Sequence, residues 1–387
     1  MDIPGLQAEK LTRSGERRDP FADRTTILEL RGVTKVLGRG KDARIAVNEI
    51  NLVAREGEFI TILGPRGCGK TTLLRLIAGL DIPEPGAIFI DKTDYSHLPA
   101  HRRPVNTVFK HFGLFPHLSV SENVGFGLRM KRLKSHEIAR EVMAALQLLD
   151  LVEVAQRKPG QLNRGEHQRA ALARALVCEP RVLLLDEPMD GLDLKLRGEL
   201  LSKLRELQHN LTIPFILCTE DQEEALAVSD TIVVMNEGRI EQAGPASQLY
   251  EYPANPFVAG FVGRCNLIEG RFLYREGAEV VVETKLGKIS CSLPDTDAEK
   301  ADQNEVSLAI RPEKVLVNDE ESVDNRFGGM ITEVEYLGSE TRLRIRSNEV
   351  VVRAAVPNPR LRLQTWKAGD NVFFSFPPDN LILMDAR

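Results

Sequence analysis

The sequence predicts an α/β domain built on a mostly parallel sheet, with an inserted helical subdomain, followed by a small β-barrel. Short apolar strand-like runs alternate with helical patterns from Ile27 to about Gly244, the rhythm of a parallel sheet covered by helices. Phe59 to Leu63 and Val182 to Leu185 are near-continuous apolar runs, as strands buried on both faces require. Beyond about Arg264 the pattern changes to short alternating segments, Gly329 to Tyr336, Thr341 to Ile345 and Val350 to Val356, which suit many short strands and a barrel.

The elements follow in order. Residues 1–25 mix charge, Pro and Gly and are expected to form a flexible tail. Residues 26–246 form the α/β domain. Within it, 118–160 carry a helical block with Val142, Leu146 and Leu149 on one face and charges between them. The segment 247–263 contains Pro253 and Pro256 and is expected to be a linker. Residues 264–387 make the barrel, whose final aromatics Trp366, Phe373, Phe374 and Phe376 have strand-like spacing and read as packing.

Composition narrows the partners. A chain of 387 residues suits two domains. With 51 Lys plus Arg against 56 Asp plus Glu, the net charge of −5 leaves no basic footprint for nucleic acid. The longest apolar runs, such as Thr231 to Met235, are too short to span a membrane. The N-terminus lacks the apolar stretch of a secretory signal, which places the body in the cytoplasm. Cys68, Cys178, Cys218, Cys265 and Cys291 show no metal or redox spacing and read as reduced thiols.

Two motifs carry chemistry. Gly64-Pro65-Arg66-Gly67-Cys68-Gly69-Lys70-Thr71 fits G-x-x-x-x-G-K-[ST] between an apolar strand and a helical pattern, and Thr72 follows at the helix start. Glycines let successive backbone N–H groups face phosphate oxygens, and the helix directs its positive end at the same anion. Lys70 reaches the β- and γ-phosphates of ATP, and Thr71 holds Mg2+. Arg181 to Glu187 is a buried strand ending in two acids, of which Asp186 suits the metal and Glu187 the attacking water.

Further segments give the chain a family resemblance. Leu162-Asn163-Arg164-Gly165-Glu166-His167-Gln168-Arg169 resembles the signature segment of ATP-binding-cassette proteins, usually L-S-G-G-Q-x-Q-R. Gly191-Leu192-Asp193 is similar to their D-loop, and Asp221-Gln222-Glu223-Glu224 to the segment after their switch histidine. Val105 to Phe109, Leu114 to Val120 and Glu122-Asn123-Val124 look like the Q-loop region and helical subdomain of solute importers. Ala309 to Glu313 and Tyr336-Leu337-Gly338 are similar to the oligonucleotide-fold-like appendage of such subunits, among which the polyamine importers are nearest in pattern.

The resemblance implies a P-loop NTPase cassette that binds ATP and Mg2+ and couples hydrolysis to solute import. It implies docking on two transmembrane permease subunits at the cytoplasmic face of the inner membrane, as a peripheral protein. A solute-binding protein outside the membrane would take part indirectly. It also implies a homodimer or a paired ATPase subunit, in which ATP is sandwiched by the facing chain's Asn163, Gly165 and Glu166.

Several residues depart from the family pattern around the γ-phosphate. Glu220 stands in the place of the switch histidine. At an effective dielectric of about 20, two like charges about 4 Å apart repel by roughly 4 kcal/mol. Arg164 replaces a glycine and is expected to crowd the dimer interface, beside an Asn163 that replaces serine. Lys110 replaces the Q-loop glutamine and is expected to repel the metal. Leu37 stands where an aromatic stacks on adenine. Arg66 enters the phosphate loop, with an acid of the partner's D-loop, Asp190 or Asp193, as its expected mate. Together they predict retained nucleotide binding with reduced hydrolysis.

Overall fold

The computed structural model describes residues 21, 23–38, 40–292, 305–319, 324–358 and 366–385. Most of the expected N-terminal tail therefore lies outside the described residues. The chain divides into compact units over Asp19–Ala246 and Ser247–Arg387.

The first unit holds two sheets. A six-stranded sheet runs in the order Arg239–Gly244, Thr231–Asn236, Phe59–Leu63, Phe215–Thr219, Val182–Asp186, Val105–Val108. All neighbours in it are parallel except the first pair, which is antiparallel. Every residue of Phe59–Leu63 and of Phe215–Thr219 is buried, which explains why these runs lack polar alternation. An antiparallel four-stranded sheet comprises Arg44–Arg55, Thr26–Leu37, Ala87–Ile90 and Thr93–Asp94.

Helix Lys70–Ala78 fills the space between these sheets. Its Leu73, Leu74, Leu76 and Ile77 share one apolar core with Leu28, Ile50, Ile62 and Leu184. The helix ends at Gly79, with φ 74°, where a Cβ would sit 2.4 Å from Arg103 Nε. The buried Arg103 in turn donates to the last-turn helix carbonyls of Leu76 and Ile77, at 2.7 and 3.0 Å.

A second core covers the opposite face of the parallel sheet and contains the helical block. Helix Ser135–Leu148 buries Val142, Ala145 and Leu146 there, against helix Arg164–Leu176. Helix Val120–Val124 begins with a reciprocal cap between Ser119 and Glu122. Fully buried Asn123 accepts from Phe115 N–H at 2.8 Å and donates to the carbonyls of Phe115, Leu118 and Ser119, which pins the 115–119 turn. Arg174 donates to the carbonyls of Phe112 and Gly113 at 3.0 and 2.6 Å, so the Lys110 segment is tied to the signature helix.

The second unit consists of two antiparallel five-stranded sheets closed around one apolar core as a small barrel-like domain. Phe327, Phe374 and Phe376 cluster inside it with ring centroids 5.4 to 5.9 Å apart. The segment expected to be a linker instead contains helices Ala246–Glu251 and Pro256–Phe261. Arg311, 1% exposed, draws that segment in by donating to the carbonyls of Tyr250, Ala259 and Arg264. Its guanidinium also lies 3.9 Å from the Tyr250 ring centroid. All five cysteines are unpaired, and four of them are buried.

Candidate functional site

The carboxyl ends of three neighbouring parallel strands, Phe59–Leu63, Phe215–Thr219 and Val182–Asp186, open on one side of the sheet. That is where a parallel sheet exposes backbone groups and following loops to a ligand. The phosphate loop leaves the first strand, Glu220 follows the second, and Asp186 and Glu187 end the third.

The loop geometry needs its glycines. A Cβ on Gly64 would lie 2.2 Å from the Met235 carbonyl oxygen, and one on Gly69 would lie 2.1 Å from that of Ala46. Gly69 also has φ 110° and opens the helix. Lys70 is 4% exposed, and its Nζ donates to the Gly64 and Pro65 carbonyls at 2.8 and 2.9 Å, so the ammonium is held over the loop. Thr71 Oγ1 donates to Asp186 Oδ1 at 3.3 Å. Burial pushes the Asp186 carboxyl above its usual range, the Thr71 hydrogen bond opposes that, and the Glu187 charge adds to it. A desolvated carboxylate beside a hydroxyl is a fitting donor pair for a divalent cation whose remaining ligands are phosphate oxygens and water.

Glu187 has φ 45°, a left-handed backbone that is strained for a glutamate, and its N–H donates to the Cys218 carbonyl at 3.0 Å. Its carboxylate meets Lys110 Nζ at 2.5 Å, and Asp190 Oδ2 lies 3.5 Å from the same ammonium. The hydrogen bond to Glu187 is the main cause of the raised Lys110 pKa. Lys110, expected to repel a metal, is paired with Glu187.

Two further charged substitutions also find mates within the chain. Arg66 Nε lies 3.3 Å from Glu220 Oε1, and Lys70 Nζ lies 3.9 Å from the same oxygen. Within its own chain Arg66 thus pairs with Glu220. Arg164 turns its guanidinium back to the Asp190 carbonyl at 2.7 Å. A Cβ on Gly191 would lie 2.3 Å from Arg164 Nη2, so the glycine leaves room for that arginine. Within one chain the Arg164 side chain is thus held against the 190–191 turn.

The turn bearing Glu220 is braced from behind. Asp221 N–H donates to Thr219 Oγ1 at 3.0 Å, and that hydroxyl donates to Glu224 at 2.6 Å. Arg197 pairs with Asp221 at 2.5 Å and lies 3.5 Å from Glu224, whose pKa burial raises.

These residues border a cavity of about 230 Å³ that includes Lys70, Thr71, Thr72, Lys110, Glu187 and Glu220. Its far wall is Leu37, Arg44, Ile45 and Ala46. The sequence reading placed Leu37 there and missed the other three. They lie in a strand whose only sequence signal is alternation, and pairing with Thr26–Leu37 brings them to the site. A smaller adjoining cavity of about 130 Å³ is bordered by Arg66, Glu187, Asp190 and Glu220.

Asn163, Gly165 and Glu166 border neither cavity. They open helix Arg164–Leu176, where Asn163 and Glu166 cap each other through backbone N–H bonds of 2.9 and 2.8 Å. A larger cavity in the second unit, about 350 Å³, holds Glu313 bonded to Tyr250, Glu340 paired with Arg342 and Glu333 with Arg344. Two of its acids are paired with arginines and it has no phosphate loop, unlike the cavity of the first unit.

Comparison with known proteins agrees with this geometry. Residues 47–190 match the ABC transporter family and residues 308–384 the TOBE domain. The chain is 45% identical over 335 residues to a spermidine/putrescine import ATP-binding protein, PotA, of Rubrobacter xylanophilus, covering 87% of this chain and 86% of that one. It is 44% identical over 314 residues to the protein of the same name from Haemophilus influenzae, covering 81% and 83%. Among solved structures, a dimeric ATP-binding cassette in a post-hydrolysis state with ADP and Pi aligns at TM-score 0.51 and 30% identity, covering 57% of this chain and 98% of that one. A subunit of the cbiONQ ABC transporter complex of Clostridium perfringens aligns at TM-score 0.54 and 31% identity, covering 58% and 90%.

Proposed function

The chain belongs to the ABC transporter ATPases, and from that premise we propose that it is the ATP-binding subunit of a polyamine importer. The observation that carries the proposal is the convergence of Lys70, Thr71, Asp186 and Glu187 at the ends of the two strands that flank Phe215–Thr219, in a chain alike over most of its length to spermidine/putrescine import proteins.

The residues divide the work. The N–H groups from Arg66 through Thr72, leading into helix Lys70–Ala78, receive the phosphates, and Gly67 and Cys68 shape the turn between them. Lys70 exchanges its bonds to the Gly64 and Pro65 carbonyls for phosphate oxygens. Leu37 and Ile45 offer apolar contact to the base. Thr71 and Asp186 would hold Mg2+, which when bound would neutralise phosphate charge. Glu187 orients water and accepts its proton as the water oxygen bonds the terminal phosphorus and ADP departs. Asn163, Gly165 and Glu166 face the nucleotide of a second subunit. With its carbonyl side bonded to Glu166 N–H, Asn163 keeps its amide donors for that phosphate.

No helix of the described residues is long and apolar enough to cross a membrane. As an importer ATPase the subunit docks on two permease subunits at the cytoplasmic face of the membrane, and an external solute-binding protein delivers the polyamine to them. Uptake of labelled spermidine by vesicles containing the permease and this chain tests the reading. Lys70→Ala and Glu187→Gln each abolish uptake, and uptake that persists in both refutes it.

The 2.5 Å Lys110–Glu187 contact favours a further refinement, a subunit whose hydrolysis is restrained. A carboxylate engaged by an ammonium is a poor proton acceptor until the pair opens.

A further inference from the structure

We infer that the nucleotide site selects a nucleoside diphosphate over a triphosphate, because the Glu220 carboxylate already stands in the space a terminal phosphate needs. The inference rests on the nucleotide-site reading above and specifies its ligand.

Lys70 fixes where that space is. Its ammonium is almost wholly buried and held by two loop carbonyls, and the Glu220 carboxylate approaches to 3.9 Å. Arg66 Nε holds the same oxygen from the solvent side at 3.3 Å. One carboxylate thus sits between two cations, one of them the lysine that engages the far end of a polyphosphate. An anionic group in such a cradle imitates the phosphate that would otherwise occupy it.

A diphosphate does not contest this place. The glycine loop and helix N-terminus receive phosphate through backbone N–H groups that Glu220 does not touch. A triphosphate must bring a further negative group beside Glu220 or push the carboxylate out. Withdrawal by shifting the turn is blocked, because Thr219, Glu224, Arg197 and Asp221 are bonded together behind it. Only side-chain rotation remains, and the Glu220 side chain is 34% exposed, enough to permit it at a cost. Arg66 relieves the repulsion little, since its side chain is 85% exposed and water screens its charge. Bare repulsion at about 4 Å corresponds to several hundredfold in affinity, and screening with rotation leaves about 10- to 100-fold.

In this scheme the resting subunit is loaded with diphosphate, and rotation of Glu220 gates triphosphate entry. The gate lies at the loading step and is separate from the Lys110–Glu187 contact, which acts on the water-activating carboxylate.

Isothermal titration of the full-length chain in magnesium buffer, with ADP and with a triphosphate whose β,γ-bridging oxygen is replaced by NH, tests the inference. ADP binds at least tenfold tighter in the parent chain, and Glu220→Gln brings the two within about threefold by tightening the triphosphate. Equal or tighter triphosphate binding by the parent chain overturns the inference while leaving a nucleotide site in place. ADP preference that survives in Glu220→Gln overturns the role of Glu220. If neither nucleotide binds, the nucleotide-site reading falls and the inference falls with it. The parent-chain ratio needs no variant, so poor folding of Glu220→Gln cannot shelter the idea.

Discussion

Replacing Lys110 by glutamine should release Glu187 and speed hydrolysis. Lys110 Nζ lies 2.5 Å from Glu187 Oε2 and 3.5 Å from Asp190 Oδ2. A hydrogen bond between charged groups contributes about 1.5–3 kcal/mol. The Lys110 and Glu187 side chains are 32% and 20% exposed, so solvent reduces this contact to about 1–2 kcal/mol. In the proposed mechanism Glu187 must give up the contact before it can accept a proton from water, and the barrier rises by that amount. At about 1.4 kcal/mol per tenfold, Lys110→Gln should raise turnover about 5- to 30-fold. The assay is steady-state phosphate release at saturating ATP, with nucleotide affinity measured separately. Lys110→Met serves as the companion variant, since it removes the ammonium without offering an amide. A rise in both variants supports release of Glu187. Unchanged turnover in both, with native nucleotide affinity, refutes it, and a rise in Lys110→Gln alone assigns the gain to the amide and not to the freed carboxylate.

Other outcomes follow from the same geometry. Burial raises the Asp186 pKa above its ordinary 3.8, so the native state holds more protons than the unfolded chain between the ordinary and raised values. The Asp186 contribution to stability therefore falls as pH rises through that window. Asp186→Asn should be more stable than the parent above it in chemical denaturation, and the gap should close near pH 4 or below, while magnesium-dependent nucleotide affinity drops about tenfold or more. A gap that does not change with pH counts against the assignment. Leu37→Tyr should tighten nucleotide binding about 2- to 10-fold by stacking on the base, as read by titration calorimetry, and unchanged affinity would remove Leu37 from the base wall. Arg311→Lys keeps the charge but loses the planar fork that reaches three carbonyls and the stack on Tyr250. It should destabilise the C-terminal unit by about 3 kcal/mol in thermal denaturation, and a loss below about 1 kcal/mol contradicts that role.

What was legible in the sequence is what is local in the chain. Gly64 to Thr71 is contiguous, and its function lies in backbone conformations that glycine permits and in a helix start that follows at once. Asp186 and Glu187 are legible for the same reason, as polar residues ending an apolar strand. Short alternating runs likewise announced the sheets of the second unit, because side-chain alternation is a property of each strand alone.

The tertiary structure decided how the departures from the family pattern interact. Lys110 and Glu187 are 77 residues apart, and Arg66 and Glu220 are 154 apart. They meet because the order of parallel strands sets which loops are neighbours, a long-range outcome of core packing that no local pattern encodes. Taken singly, Lys110 reads as a cation set against a metal and Glu220 as an anion set against a phosphate. In the folded chain Lys110 meets Glu187 and Arg66 meets Glu220, while Arg164 turns to the Asp190 carbonyl. A charge acts through the field at its own position, so the effect of Lys110 and Arg66 passes to the carboxylates of Glu187 and Glu220 that they hold.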